Sequence, residues 1–400
     1  MGISATGKMI NLNEQWVIII FIKSAMNSLS NFSKLLLLSL SLSLLTKVFS
    51  QDVFLPEWAL GEFVRTVDFP VITPNPESKF YCPMRKQIVE WEASDTFNPA
   101  SAVKDNKIYV LYRAEDNSAV GIGKRTSRIG LAESTDGVKM TRRAAPVMYP
   151  DEDNMKMYEW PGGCEDPRVC ETENGLYVMT YTSWNRKTPR LCIATSKDLI
   201  KWEKHGPAFA KAYNGRFKDM ACKSGSIVTK LKNGELVIAK MRDTYLMYWG
   251  ENQVNMATST DLVNWIPILD ENGNLKAVMR PRNGYFDSAL TECGPPALLT
   301  DDGILLLYNG KNSKGNNRDS RFKDGSYCAG QALFDKNNPS QLIARLDLPF
   351  FKPSADFEKS GQYPDGTVFI EGLVYFRKKW FLYYGCADSK VGVAVYDPQK

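Results

Sequence analysis

Turn-forming and apolar residues alternate along this chain in a repeating order. Five times a tight-turn signal precedes a short, aromatic-rich apolar run that reads as a strand. Asp105-Asn106-Lys107 precedes residues 108–113, Asn174-Gly175 precedes 176–181, and Asn233-Gly234 precedes 236–239. Asp302-Gly303 then precedes 304–308, and Arg377-Lys378-Lys379 precedes 380–384. Asn-Gly and Asp-Gly favour primed hairpin turns, whose central residues need positive φ. Helical periodicity is scarce.

A second element follows the strands. Ala194-Thr195-Ser196-Lys197-Asp198-Leu199-Ile200-Lys201-Trp202 closely matches Ala257-Thr258-Ser259-Thr260-Asp261-Leu262-Val263-Asn264-Trp265, and Ala132-Glu133-Ser134-Thr135-Asp136-Gly137 is a weaker copy. Their aspartates are 62 and 63 residues apart, and Asp335 and Asp397, each closing an Ala-led tetrapeptide, are again 62 apart. A repeat of that length holding several short strands is a propeller blade. About 340 residues after the leader, at roughly 65 per repeat, predict an all-β, five-bladed β-propeller as one domain over residues 51–400. A β-sandwich is the alternative, but it gives no reason for so long a repeat.

Residues 1–50 read as an upstream extension and a secretory signal peptide. Lys34 precedes an apolar run, Leu35 to Leu45, and Val48-Phe49-Ser50 suits cleavage before Gln51. Met26 is the expected start, with residues 1–25 ahead of it. The run is short for a membrane span, so a periplasmic or secreted protein without stable membrane association after cleavage is expected; a membrane anchor is the other reading.

The 400 residues carry a net charge of +5, and Lys and Arg are spread rather than blocked. That describes a solvated surface, not a nucleic-acid footprint. Aromatic residues make up 12% of the chain, and Trp and Tyr rings are either core or platforms for sugars. The eight cysteines are irregularly spaced with no C-x-x-C pair, which argues against zinc and predicts buried thiols. His205 is the one histidine, in a polar stretch, so Ser-His-Asp, Cys-His and multi-His metal chemistry are not expected. There is no P-loop or dinucleotide fingerprint, and no cofactor or metal is signalled. Carboxylate chemistry remains, as in glycoside hydrolysis.

Several carboxylates flank the strands. Glu165-Asp166-Pro167-Arg168 follows Gly162-Gly163 and reads either as a tuned general acid or as a turn with an Asp–Arg ion pair. Glu292, in the segment from Asp287 to Pro296, stands beside a stiff Gly-Pro-Pro; Glu251 follows Tyr248-Trp249-Gly250. Each is either a site carboxylate or an exposed loop residue. Asn98, Arg113 and Asp388 bracket strands, where they would bond sugar hydroxyls or serve turns and blade contacts.

Phe97-Asn98-Pro99-Ala100, Tyr112-Arg113, Glu165-Asp166-Pro167-Arg168, the Asp287-to-Pro296 segment and Tyr383-Tyr384-Gly385-Cys386-Ala387-Asp388 together resemble glycoside hydrolase family 130, from about residue 60 onward. These are β-mannoside phosphorylases and related β-mannosidases, built as five-bladed propellers. The resemblance implies a mannose-containing oligosaccharide substrate. It implies that Asp166 is the general acid, acting through a mannose hydroxyl, and that Asn98, Arg113 and Asp388 hold the mannose. Lys223 and Asp287 are expected as further substrate-binding residues. The chain departs from the phosphorylases where they carry basic residues for phosphate. It has Lys218-Asp219-Met220-Ala221-Cys222-Lys223-Ser224-Gly225, then Lys240-Met241-Arg242 without the histidine, and Glu292-Cys293 before Gly-Pro-Pro. A carboxylate there repels phosphate and suits a base that activates water. This resembles the branch of the family that hydrolyses β-1,2-mannosides, and the resemblance alone implies that linkage; the expected activity is that of an inverting, exo-acting β-1,2-mannosidase with Glu292 or Glu251, or both, as base. The alternatives are a phosphorylase holding phosphate on Lys223, Lys240 and Arg242, and a propeller that binds glycans without cleaving them.

Overall fold

Almost every regular element is a strand. In the computed structural model, which describes residues 55–400, the exceptions are one four-residue α-helix, Lys156–Glu159, and two 3-10 turns. The expected leader and upstream extension lie outside the described residues. No helix among the described residues is long and apolar enough to cross a membrane. All eight cysteines are free, and all but the half-buried Cys222 are buried.

The strands pair into five successive antiparallel meanders. The first runs Asp95–Lys104, Lys107–Glu115, Ser127–Ser134, Thr141–Arg142. The second runs Gly163–Glu171, Tyr177–Trp184, Pro189–Ser196, Glu203–Pro207. In the third, Gly225–Lys232 pairs with both Glu235–Ile238 and Thr244–Trp249, followed by Val254–Ser259 and the short Ile266–Pro267 and Ala277–Met279. The fourth joins Leu290–Cys293 and Ala297–Leu299 to Ile304–Lys311, Tyr327–Phe334 and Leu342–Arg345. The fifth runs Val368–Phe376, Lys379–Cys386, Lys390–Tyr396 and takes its last strand, Val64–Arg65, from far upstream. Apolar side chains fill the space between meanders; Leu298, Leu305 and Leu307 pack on Val368, Ile370 and Leu382 between the fourth and fifth.

The turn-plus-apolar signals mark the second strand of each meander. They pass over the first, where polar residues and prolines break the alternation. Glu165 to Arg168 and Glu292, expected in loops before a strand, lie inside first strands. The third repeat departs further: its second strand is split by an extra hairpin at Arg242-Asp243. The recurring Ser-x-Asp element is a turn with one hydrogen-bond scheme. Ser196 Oγ accepts from Leu199 N, Asp198 caps Ile200 N, and Trp202 Nε1 donates to Leu199 O. Ser259, Asp261 and Trp265 repeat it. The turn needs left-handed backbone at Leu199 (φ 64°) and Leu262 (φ 66°), where the weaker copy has Gly137.

Four meanders also share a buried ion cluster. A second-strand tyrosine hydroxyl donates to a buried carboxylate, which meets a cation from the fourth strand. The sets are Tyr112–Glu92–Arg142, Tyr181–Glu159–Lys204, Tyr308–Asp287–Arg345 and Tyr384–Glu358–Arg65. In three of them the tyrosine ring occupies space left by a glycine directly across the ladder, Gly130, Gly330 or Gly392, where a Cβ would overlap it. In the third meander Tyr248 donates to Pro339 O instead.

This repeat corrects the reading of Asp287 as a substrate-binding residue. Its carboxylate is fully buried and accepts from Tyr308 Oη at 2.7 Å, Arg345 Nη2 at 2.6 Å and Arg282 Nη2 at 2.9 Å. It is the fourth-meander copy of a structural cluster. Removing one partner of a buried ion pair leaves the other charge uncompensated. Asp287→Ala should therefore cost about 3–5 kcal/mol of stability in denaturant unfolding. A midpoint equal to that of the unchanged protein would contradict this assignment.

Candidate functional site

The first strands of the meanders are interrupted at comparable points, and the interruptions bring polar residues to one cavity. In the first meander the register slips between Phe97 and Pro99 around Asn98; in the second it slips between Glu165 and Arg168 around Asp166. Both are Asn/Asp-Pro steps with positive φ, 46° at Asn98 and 49° at Asp166. Asn and Asp tolerate that conformation best among side-chain-bearing residues, and a bulge re-aims the side chain. Ser224 (φ 62°), Ala387 (φ 49°) and Asp388 (φ 52°) are likewise left-handed. Such backbone persists only where its surroundings enforce it, and it concentrates at functional sites.

The cavity has a volume of about 270 Å³. Asn98, Arg113, Glu165, Asp166, Lys223, Glu251, Glu292 and Asp388 line it, with Thr182. Trp184 and Ile122 add apolar surface to the lining, as do Tyr327, Tyr363 and Phe369. Trp184 is fixed by a bond from Nε1 to Gly123 O at 2.9 Å. The tyrosines meet edge to face with centroids 6.0 Å apart, and Lys311 Nζ lies 4.9 Å from the centroid of Tyr327. Aromatic walls around a few fixed polar groups suit a sugar ring.

Two cations organise the carboxylates. Arg113, buried, reaches Glu115 Oε1 at 2.6 Å, Glu165 Oε1 at 2.9 Å and Asp166 Oδ1 at 3.1 Å. Asn98 Nδ2 donates to the same Asp166 oxygen at 2.9 Å, and Ser127 Oγ donates to Glu165 Oε1 at 2.9 Å. Lys223 Nζ bridges Glu251 Oε2 at 2.6 Å and Glu292 Oε1 at 3.4 Å, and Ser224 Oγ donates to Glu292 Oε1.

These contacts divide the protons unequally. Burial pushes the Asp166 carboxyl up, but Arg113, Lys223 and Asn98 together outweigh it and hold it at about 2. Burial pushes Glu165 up to about 7; Asp166 and Glu115 add to this against the pull of Arg113. Asp388 is raised to about 7 in the same way, by burial first and by Asp166 and Glu115, again against Arg113. In the free protein Arg113, Lys223 and Asn98 thus hold Asp166 to the anionic side, while Glu165 and Asp388 are the carboxyls raised toward neutral pH.

The structure brings seven of the eight expected site residues together: Asp166, Glu292, Glu251, Asn98, Arg113, Lys223 and Asp388. Asp287 is not among them. Lys240 and Arg242 stand exposed on the extra hairpin of the third meander and do not line the cavity. His205 bonds Thr195 Oγ1, also outside it. Sequence reasoning missed Tyr327, Tyr363 and Trp184, whose aromatic runs look like core. It treated Glu165 only as a neighbour of Asp166, although two adjacent acids were a usable signal. Among the described residues no His/Cys/Asp/Glu cluster is arranged to hold a metal ion.

Comparison with known proteins gives a consistent answer. The model of a family described as beta-1,4-mannooligosaccharide phosphorylase (glycoside hydrolase family 130) matches residues 75–400. The chain is 31% identical over 335 residues to a 1,2-beta-oligomannan phosphorylase of a Thermoanaerobacter species, covering 83% of this chain and 96% of that protein. Among solved structures, a putative glycosidase from Bacteroides thetaiotaomicron is 63% identical with a TM-score of 0.86, covering 86% of this chain and 99% of the other. Another is 60% identical with a TM-score of 0.85, covering 86% and 96%; it is described under the statement that the GH130 family of mannoside phosphorylases contains glycoside hydrolases that target β-1,2 mannosidic linkages in Candida mannan. The bulged Asn98 and Asp166, the carboxylates gathered on Arg113 and Lys223, and these matches place the chain in glycoside hydrolase family 130.

Proposed function

We propose that the protein is an inverting, exo-acting β-mannosidase that hydrolyses β-1,2-linked mannosides, and that its five meanders are the blades of a five-bladed β-propeller around the cavity. The charge balance of the lining carries the hydrolytic reading. Five carboxyl groups, Glu165, Asp166, Glu251, Glu292 and Asp388, face two cations, Arg113 and Lys223, and even with Glu165 and Asp388 protonated three stand against two. Both cations are already bonded to carboxylates. A phosphate dianion near this lining meets repulsion of about 4 kcal/mol per charge pair at 4 Å, taking an effective dielectric of 20. Water pays no such penalty. The 60%-identical structure described in terms of β-1,2-mannoside hydrolases supports the same substrate and reaction. The 31%-identical phosphorylase supports the second reading, phosphorolysis, which would require Lys223 to leave Glu251 and Glu292 for phosphate.

On this reading a terminal mannose sits between the aromatic walls, held by Asn98, Arg113 and Asp388. A proton held on Glu165 or Asp388 passes to Asp166, which delivers it through a mannose hydroxyl to the glycosidic oxygen. Glu292, buried and held by Ser224 and Lys223, is the better-fixed base. Glu251, half-buried, joins it through Lys223 to position the water. Water attacks the face of C1 opposite the leaving oxygen and loses its proton to the base.

Asp166→Asn should lower kcat on β-1,2-mannobiose by roughly 10²–10⁴-fold. Glu292→Gln should collapse kcat with KM little changed, while Glu251→Gln has the smaller effect. Near-normal turnover of Asp166→Asn removes it from the acid role, and the reverse order of the two glutamates makes Glu251 the base. The proton required at bond cleavage resides on the Glu165–Asp166–Asp388 group. It is lost as pH rises through about 7, the value to which Glu165 and Asp388 are raised. kcat/KM should therefore fall on the basic side of about 7; a profile that stays flat well above that value would contradict this proton store.

A further inference from the structure

We infer that Arg168 and Glu371 form a positioning pair that sets the geometry between the acid and base segments. The inference rests on the assignment of Asp166 and Glu292 above. Arg168 is 1% exposed and makes four contacts that span three meanders. Nη1 donates to Asp166 O at 3.0 Å, Nη2 to Cys293 O at 2.8 Å, and Nε to Gly294 O at 3.2 Å. Nη2 also lies 2.9 Å from Glu371 Oε1. One rigid guanidinium thus holds the carbonyl of the acid itself and the carbonyl next to the base, residues 125 or more apart in sequence.

The second observation is Glu371. It sits at the bulge between Ile370 and Gly372 in the first strand of the fifth meander, the counterpart of the bulges that carry Asn98 and Asp166. It is fully buried, neither carboxylate oxygen has a hydrogen-bond partner, and the cation it pairs with is Arg168. A pair that served packing alone would be replaced by apolar residues at little or no cost. Glu371 sets its carboxylate against Nη2 of a fork that is turned toward three backbone carbonyls, a set that Lys has no geometry to satisfy. Inversion needs a fixed gap between acid and base with a water in it, so small errors of placement are costly.

The test compares Arg168→Lys, Arg168→Ala and Glu371→Gln with the unchanged protein, scoring total cleavage of β-1,2-mannobiose as mannose plus mannose 1-phosphate. Thermal unfolding and mannobiose affinity are measured alongside. Arg168→Lys should remain folded and bind mannobiose normally, with kcat reduced about 10²-fold and KM little changed. Glu371→Gln should move in the same direction. Millimolar guanidinium should restore part of the activity of Arg168→Ala; if that variant does not fold, the other two decide. Normal kcat in Arg168→Lys and Glu371→Gln overturns the inference, as does a loss of activity that only tracks loss of folded protein. Counting both products separates this outcome from failure of the hydrolase reading, which would appear in the unchanged protein as mannose 1-phosphate.

Discussion

The structure depends on how few cations serve the carboxylates of its cavity. Arg113 alone contacts three, Glu115, Glu165 and Asp166. Such a group cannot be uniformly ionised at low cost, because burial and mutual repulsion both oppose charge. The result is a division of labour: Arg113, Lys223 and Asn98 hold the Asp166 carboxyl low, while burial raises those of Glu165 and Asp388 toward neutral pH. Lys223 plays the parallel part for Glu251 and Glu292. Both cations are thus occupied by carboxylates of the protein itself.

The same chemistry recurs away from the cavity for a different purpose. Tyrosine, carboxylate and cation meet in four meanders, tying second strand to fourth strand. In the last of these the cation, Arg65, is delivered by the strand that also completes the fifth meander from the other end of the fold. The two kinds of site are distinguished by satisfaction. The structural carboxylates Asp287 and Glu358 have donors on both oxygens or several on one. The cavity group retains buried atoms without partners, Asn98 Oδ1 and Thr182 Oγ1 among them.

Much of the fold was legible because hairpin turns and apolar second strands have strong local signatures. The repeat spacing came from a turn whose Ser, Asp and Trp all take part in its hydrogen bonds. The first strands were not legible: a bulge at Asn98-Pro99 or Asp166-Pro167 serves the site and destroys the alternation that identifies a strand. The site was legible through its carboxylates and its departures from the phosphorylase pattern around Lys223 and Glu292. Asp287 misled because a carboxylate near Glu292 in sequence points into a structural cluster, a difference that depends on Arg345, 58 residues away. The aromatic walls had no sequence signal, since Tyr327 and Phe369 lie on strands whose other residues are core.

The central claim is that the acidic cavity selects water over phosphate as the nucleophile. It is tested most directly by letting the protein cleave β-1,2-mannobiose in oxygen-18-labelled water with phosphate in excess, and analysing the released sugar by mass spectrometry. The account predicts mannose carrying one labelled oxygen, formed at a rate indifferent to phosphate. Unlabelled mannose 1-phosphate, formed only when phosphate is present, would contradict it and show that Lys223 exchanges its glutamates for the anion.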